Sequence, residues 1–272
     1  MLIEFEPPID IPYYLKQINS SDCECLQGLS PTQKNAIWES YYKEKQQQER
    51  QNIAAYYGDN PDFNPYGFYG KMSMRVVYQL KRQKLAPYAA QLLTEQFGSE
   101  GYVCALEIGG GDGTNAQKLL SLCNEQGGPL CNLTITSLNP LPQHESLQRK
   151  GIMVRSDVLA ENLPQEWTNS FHLIMSQMVL GWTNLYYTLN SIKRCLTPGG
   201  VWLGFESWDT ARTLGPSWGY TYNDLALQTK HVAKQLHMRN SAPSRLSHEL
   251  TKSTDKGEWV VPFLYQKPES TL

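Results

Sequence analysis

The residues best able to do chemistry lie in the run Ala105-Leu106-Glu107-Ile108-Gly109-Gly110-Gly111-Asp112-Gly113-Thr114-Asn115, an apolar stretch that ends in an acid-flanked glycine loop. Glycines suit such a loop because the backbone must turn tightly and a ligand must approach it without meeting a Cβ. Thr114 stands where a helix-capping hydroxyl belongs, and Gln117 three residues on completes a capping box. The run therefore reads as a strand-to-helix ligand cradle. Two ligand classes compete for it. Gly111-Asp112-Gly113-Thr114-Asn115-Ala116 fits the G-x-G-x-x-A variant of the dinucleotide fingerprint. A diphosphate beside Glu107 and Asp112 would meet like charge, however, at a cost of about 2–3 kcal/mol per contact at roughly 6 Å. A ligand carrying an ammonium group would gain instead. The acid that reads ribose about 20 residues beyond a dinucleotide loop is also missing from residues 131–138. A nicotinamide or flavin dinucleotide is accordingly the second reading.

The elements that must position this loop follow from the hydrophobic pattern. From residue 102 short apolar runs alternate with helical stretches, the signature of an α/β domain with a mostly parallel sheet. Strands are expected at 102–108, 133–138, 152–155, 171–176 and 201–206, with a helix at 115–123. Residues 250–253 and 259–266 flank the turn Thr254-Asp255-Lys256-Gly257-Glu258 and predict an antiparallel edge hairpin. Upstream, residues 1–30 lack a clear period and read as an irregular arm. Ser30-Pro31-Thr32-Gln33 is a helix start, and a helix is expected from there to about Tyr57, with the polar run 43–51 as a solvated face and Gly58 as its stop. Residues 58–70 form a turn-rich aromatic loop suited to a lid or to pinning the arm. Two helical pieces, 72–85 and 87–97, broken near Pro87 and closed by Gly98, are expected to complete this part.

Taken together, Glu107-Ile108-Gly109-Gly110-Gly111-Asp112-Gly113 resembles the first motif of the class I S-adenosylmethionine-dependent methyltransferases, an acid followed by G-x-G-x-G. Ser156-Asp157-Val158 with Leu163-Pro164, the strand Phe171 to Gln177, and Leu196-Thr197-Pro198-Gly199-Gly200-Val201 are similar to later motifs of that superfamily, in the same order. The resemblance spans roughly residues 100–267. It implies a doubly wound, seven-stranded, mostly parallel α/β sheet of the Rossmann-like methyltransferase type, with an antiparallel C-terminal edge hairpin. Residues 100–272 would form the cofactor domain and residues 1–99 a helical N-terminal cap. The implied cofactor is S-adenosyl-L-methionine. Carried over position by position, Glu107, Gly109, Gly111, Asp112 and Gly113 would hold the methionyl end. Asp157 would take the adenine amino group, the Val158 backbone a ring nitrogen, and Gln177 would line the methionyl or substrate side. Asn139 stands where the superfamily usually places a ribose-gripping acid; it offers one acceptor and one donor but no charge-assisted pair. His172 stands where the fourth strand often begins with Asp, a position that serves the sheet.

Methyl transfer at a sulfonium needs alignment and desolvation, and a base only where the acceptor must lose a proton early. Glu206 at the mouth of the fifth strand and His231 on the next helix are the candidate bases. A proline pair after the fourth strand, the mark of amide and adenine-amine acceptors, is replaced by Ser176-Gln177-Met178-Val179. Aromatic residues in 63–69, together with Trp182, Trp208, Trp218 and Tyr220, suit either a flat or apolar small-molecule acceptor or domain packing. The 272 residues carry 24 basic and 26 acidic side chains, a net charge of -2, so no global positive field exists for nucleic acid. The opening MLIEFEPPID has no basic flank or apolar core of a leader, and no run approaches a membrane span, so a cytoplasmic protein is expected. The six cysteines lack metal-site spacing and read as reduced thiols, with no metal assigned. A methyltransferase of small molecules is thus the first expectation. A protein or RNA methyltransferase, a dinucleotide oxidoreductase and a non-catalytic cofactor-binding protein stand beside it.

Overall fold

The structure is a computed structural model that describes residues 8–20, 24–57, 85–111, 113–140, 144–177, 179–207, 222–240 and 260–269. Seven strands form one sheet: β1 (Tyr102–Ile108), β2 (Leu130–Ser137), β3 (Met153–Ser156), β4 (Phe171–Gln177), β5 (Leu196–Ser207), β6 (Arg239–Asn240) and β7 (Val260–Gln266). Their order is β3-β2-β1-β4-β5-β7-β6. The first five run parallel, and β7 is antiparallel to both β5 and β6. The antiparallel edge is as expected, but the strand that pairs with β7 is Arg239–Asn240; residues 250–253, expected in that role, lie outside the described residues. Strand order reverses between β1 and β4, so the chain leaves these neighbours toward opposite faces and a crevice opens at their carboxyl ends.

Both faces of the sheet are covered, which is why the strands are nearly continuous in apolar residues. On one side Ala86, Ala89, Ala90 and Leu93 of α3 (Leu85–Phe97), Ala116 and Leu119 of α4 (Thr114–Glu125) and Leu147 of α5 (His144–Arg149) pack on Val103, Ala105, Leu133, Ile135 and Leu173. On the other, Leu185, Leu189 and Ile192 of α6 (Leu185–Cys195) and Val232, Ala233 and Leu236 of α7 (Tyr222–Gln235) meet Leu106, Ile108, Ile174 and Trp202. Pro87 falls in the first turn of α3, where a missing N–H is harmless, and Gly98 closes that helix in the left-handed region at φ 62°. None of the described helices is long and apolar enough to cross a membrane.

The N-terminal part departs from expectation in two places. Residues 11–20 are helical: α1 (Ile11–Ser20) starts where Asp10 Oδ1 accepts from Tyr13 N at 3.1 Å. The second departure is in α2 (Pro31–Tyr57), whose reciprocal capping box between Ser30 and Gln33 forms as predicted. Its polar middle is not wholly solvated. Lys45 is buried and Gln46 half-buried, because α2 lies on the loops that follow β2 and β3. Tyr41 donates to the buried Glu161 at 2.9 Å, and the same carboxylate oxygen accepts from Asn184 N at 3.1 Å. The Asn184 side chain caps α6 through Tyr187 N and donates to Ile18 O of α1 at 3.0 Å. One buried carboxylate and one amide thus join α1, α2 and α6.

Burial raises Glu161 above its ordinary value of 4.5, opposed by the Lys45 charge, and burial lowers Lys45 against the pull of Glu161. Removing the cation leaves a buried carboxylate with less compensation. Lys45→Met is expected to cost on the order of 2–3 kcal/mol near neutral pH. A carboxyl whose folded pKa is raised destabilises the fold above that pKa and costs nothing once it is protonated in both states. The deficit should therefore shrink on acidification toward pH 4.5, as denaturant melts at several pH values would record.

Candidate functional site

Side-chain alternation brings the site together. In β1 the odd positions Val103 and Ala105 face α3 and α4, and in β4 so do Leu173 and Met175. The next odd positions, Glu107 and Gln177, therefore emerge on that same face at the carboxyl ends of two neighbouring strands. Glu107 pairs in register with Met175. Asn115 in the first turn of α4 bridges them, donating through Nδ2 to Glu107 Oε1 at 2.9 Å and to Gln177 Oε1 at 2.6 Å. Glu107 is 2% exposed, so its carboxylate is partnered inside the protein. The Gln177 amide is oriented by accepting from Asn115, which leaves its Nε2 buried without a hydrogen-bond partner among the described residues. A donor in that state is suited to an incoming acceptor. In the sequence Asn115 is only the end of the loop; its bridging role rests on a tertiary contact that spacing does not reveal.

The glycine loop is fixed to β2 through backbone groups. Gly110 N donates to Thr136 O at 2.9 Å and Gly109 N to Thr136 Oγ1 at 3.1 Å. His144 at the start of α5 closes the other side, with Nε2 3.3 Å from Gly111 O. Burial holds that imidazole below its ordinary 6.5, although the carbonyl contact works the other way. Two glycines do different work. Gly113, at φ 73°, would place a Cβ 2.5 Å from Leu147 Cδ1, so it lets α4 close onto α5. Gly111, at φ 52°, would place a Cβ within 4 Å of none of the described residues outside its chain neighbours. The capping box expected of Thr114 and Gln117 does not form: Gly113 is the N-cap, and Gln117 Oε1 instead accepts from Lys150 Nζ. Asp112 lies outside the described residues.

At the ends of β2 and β3 the structure places Asn139 buried and Asp157 exposed, side by side through the parallel pairing of Ser137 with Ser156. Asp157 adopts φ 65°, a left-handed conformation that a residue with a Cβ occupies at a cost and that recurs where a side chain must be presented. Val158 N donates to Ser137 O at 3.3 Å, a long bond that ties the two exits together. Of the candidate bases, Glu206 lies near the carboxyl end of β5, opposite Val261 of β7. His231 stands on the exposed face of α7 with Nε2 3.1 Å from Gln235 Nε2, while Thr229, Val232 and Ala233 are buried. The structure thus joins Glu107, the glycines and Gln177 in one cluster, sets Asn139, Asp157 and Val158 beside it, and leaves His231 apart. His172 serves the sheet, its Nδ1 accepting from Cys104 N at 3.2 Å. The expected aromatic walls at 63–69, Trp208, Trp218 and Tyr220 lie outside the described residues.

The two glycines should separate in their effects. Gly113→Ala combines left-handed strain with overlap on a buried leucine and should cost about 2–4 kcal/mol of stability. Gly111→Ala meets left-handed strain and no overlap with the described residues, and should cost about 1 kcal/mol. Thermal melts of the two variants give the comparison.

Among solved structures the fold matches the CurJ carbon methyltransferase with a TM-score of 0.50 at 16% identity, over 89% of this chain and 72% of that one. The 1,6-didemethyltoxoflavin-N1-methyltransferase of Burkholderia thailandensis gives 0.49 at 16% identity, over 78% and 93%. The CMeT domain of the citrinin polyketide synthase gives 0.48 at 18% identity, and the aligned region spans 64% of this chain but only 48% of that structure. No protein-family description matches the sequence, and no curated protein does. Strand order, the antiparallel edge and the match to CurJ agree that this chain has the class I methyltransferase fold.

Proposed function

We propose that this protein is an S-adenosylmethionine-dependent methyltransferase that acts on a small-molecule acceptor at oxygen or nitrogen. The observation that carries the reading is the Glu107, Asn115, Gln177 chain at the crevice between β1 and β4. Its chemistry fits a zwitterionic amino-acid tail. A buried carboxylate attracts an ammonium group, whereas it repels a diphosphate. The buried Gln177 Nε2 donor would meet a carboxylate or an acceptor atom. Asp157 would accept from an adenine amino group, and the amide of Asn139 would hydrogen-bond ribose.

When bound, S-adenosylmethionine supplies a methyl group on an activated sulfonium that is open to direct displacement. The protein's part is then to orient and to exclude water. Glu107, Asn115 and Gln177 fix one end of the crevice, Asp157 and Asn139 the other, so the reacting centre would fall between the two ends. Glu206 is the candidate to receive an acceptor proton, from the neighbouring strand end. We assign residues 1–99 to a cap over the site, and we place the enzyme in the cytoplasm.

Calorimetric titration with S-adenosylhomocysteine, S-adenosylmethionine and NAD tests the cofactor. Both adenosyl-sulfur ligands should bind and NAD should not. Asp157→Ala should weaken S-adenosylhomocysteine about tenfold, the worth of one hydrogen bond to a charged group. Binding of NAD alone would replace this reading with a dinucleotide enzyme, and absence of any binding would leave a fold retained for another purpose.

A further inference from the structure

The N-terminal helices rest on α6, through Ile18 O and the Tyr187 ring, and on the pair of loops that carry Asn139 and Asp157. Leu138, immediately before Asn139, and Leu159, immediately after Val158, both pack into the apolar cluster formed by Ile18 of α1 and Ile37, Trp38 and Tyr41 of α2. Polar contacts repeat the pattern. Gln46 Nε2 donates to Leu138 O at 3.0 Å, Tyr42 reaches the same carbonyl at 3.4 Å, and Gln46 also contacts the Tyr42 hydroxyl. One residue round the helix, Tyr41 holds Glu161 on the 3-10 turn that follows Leu159. Tyr41 and Tyr42 thus reach two different loops from adjacent positions on one helix. Each loop is a short exit from a parallel strand, tied to the other by Val158 N and Ser137 O.

We propose that Tyr41, Tyr42 and Gln46 are positioning residues that set the separation of the β2 and β3 exit loops, so that docking of α1 and α2 and occupation of the nucleoside end of the site are thermodynamically coupled. This rests on the cofactor reading above and adds to it that the N-terminal helices are part of the nucleoside site as well as a cover for the acceptor. Coupling between two sites is reciprocal. A ligand that favours the docked loops must therefore also favour the docked helix.

The test uses the full chain. Hydrogen exchange of residues 41–48 should slow about threefold or more at saturating S-adenosylhomocysteine, beyond any slowing of α7, which lies in the cluster of Trp202 of β5 and Tyr265 of β7. Gln46→Glu keeps the shape but removes the donor to Leu138 O. It should weaken S-adenosylhomocysteine about three- to tenfold with circular dichroism unchanged, and Gln46→Lys, which restores an N–H donor, should recover most of the affinity. The wild-type exchange measurement needs no variant and stands if Gln46→Glu fails to fold. Exchange in α2 that ignores the ligand, or a Gln46→Glu protein that folds and binds as the wild type does, overturns the proposal. Wild-type protein that takes up no S-adenosylhomocysteine overturns the cofactor reading itself and this inference with it, a distinct outcome.

Discussion

A carboxylate buried at the end of a parallel strand has to be hydrogen-bonded where it stands, because water cannot reach it. Glu107 imposes that condition on everything around it. Its side chain emerges on the α4 face because β1 alternates, so its partner must come from the first turn of α4. Asn115 can serve only if α4 begins without delay after the strand, and the left-handed glycines allow the chain to turn in so few residues. Gly113 then has to lie against Leu147, which fixes α5, and α5 brings His144 to the loop. The same Asn115 amide turns Gln177 of β4, so the condition set by one carboxylate reaches the neighbouring strand and the mouth of the crevice.

The sheet was legible because its signals are local. Strand β1 falls at residues 102–108 as expected, and β4 differs from expectation by one residue. Each is a buried apolar run bounded by turn residues, and a parallel sheet covered on both faces requires that pattern. The capping box of Ser30 and Gln33 was legible for the same reason. What was missed depended on distant partners. The polar run in α2 reads as solvated from composition, yet Lys45 is buried by a loop more than a hundred residues away. Helix α1 did carry a signal, Asp10 as cap and Ile11, Tyr14, Leu15 and Ile18 on one face, but the prolines around it obscured the period. At Thr114 the hydroxyl pattern was present and lost to Gly113, because close approach to Leu147 decided the cap.

The amide at position 139 takes on a different meaning beside α2. If this loop receives a ribose, as proposed, an acid there would bring its own charge, whereas Asn139 would offer only geometry, and geometry is useful only if the loop is held still. The carbonyl one residue earlier is held by Gln46, and the side chain there by the cluster around Trp38 and Tyr41. Fixed backbone can in this way take over part of what charge supplies elsewhere.

The contacts that seat α1 and α2 span long stretches of sequence: 92 residues from Gln46 to Leu138, 120 from Tyr41 to Glu161, 166 from Ile18 to Asn184. A ribosome therefore releases these helices well before any of the surfaces they need. Ile18 of α1 can meet Ile37, Trp38 and Tyr41 of α2 early, but Leu138, Leu159 and Tyr187, which complete their cluster, arrive only when β2, β3 and α6 have been made. The earliest described helices to be synthesised are thus among the last to find their place, and during that interval a chaperone would have its clearest reason to attend this chain.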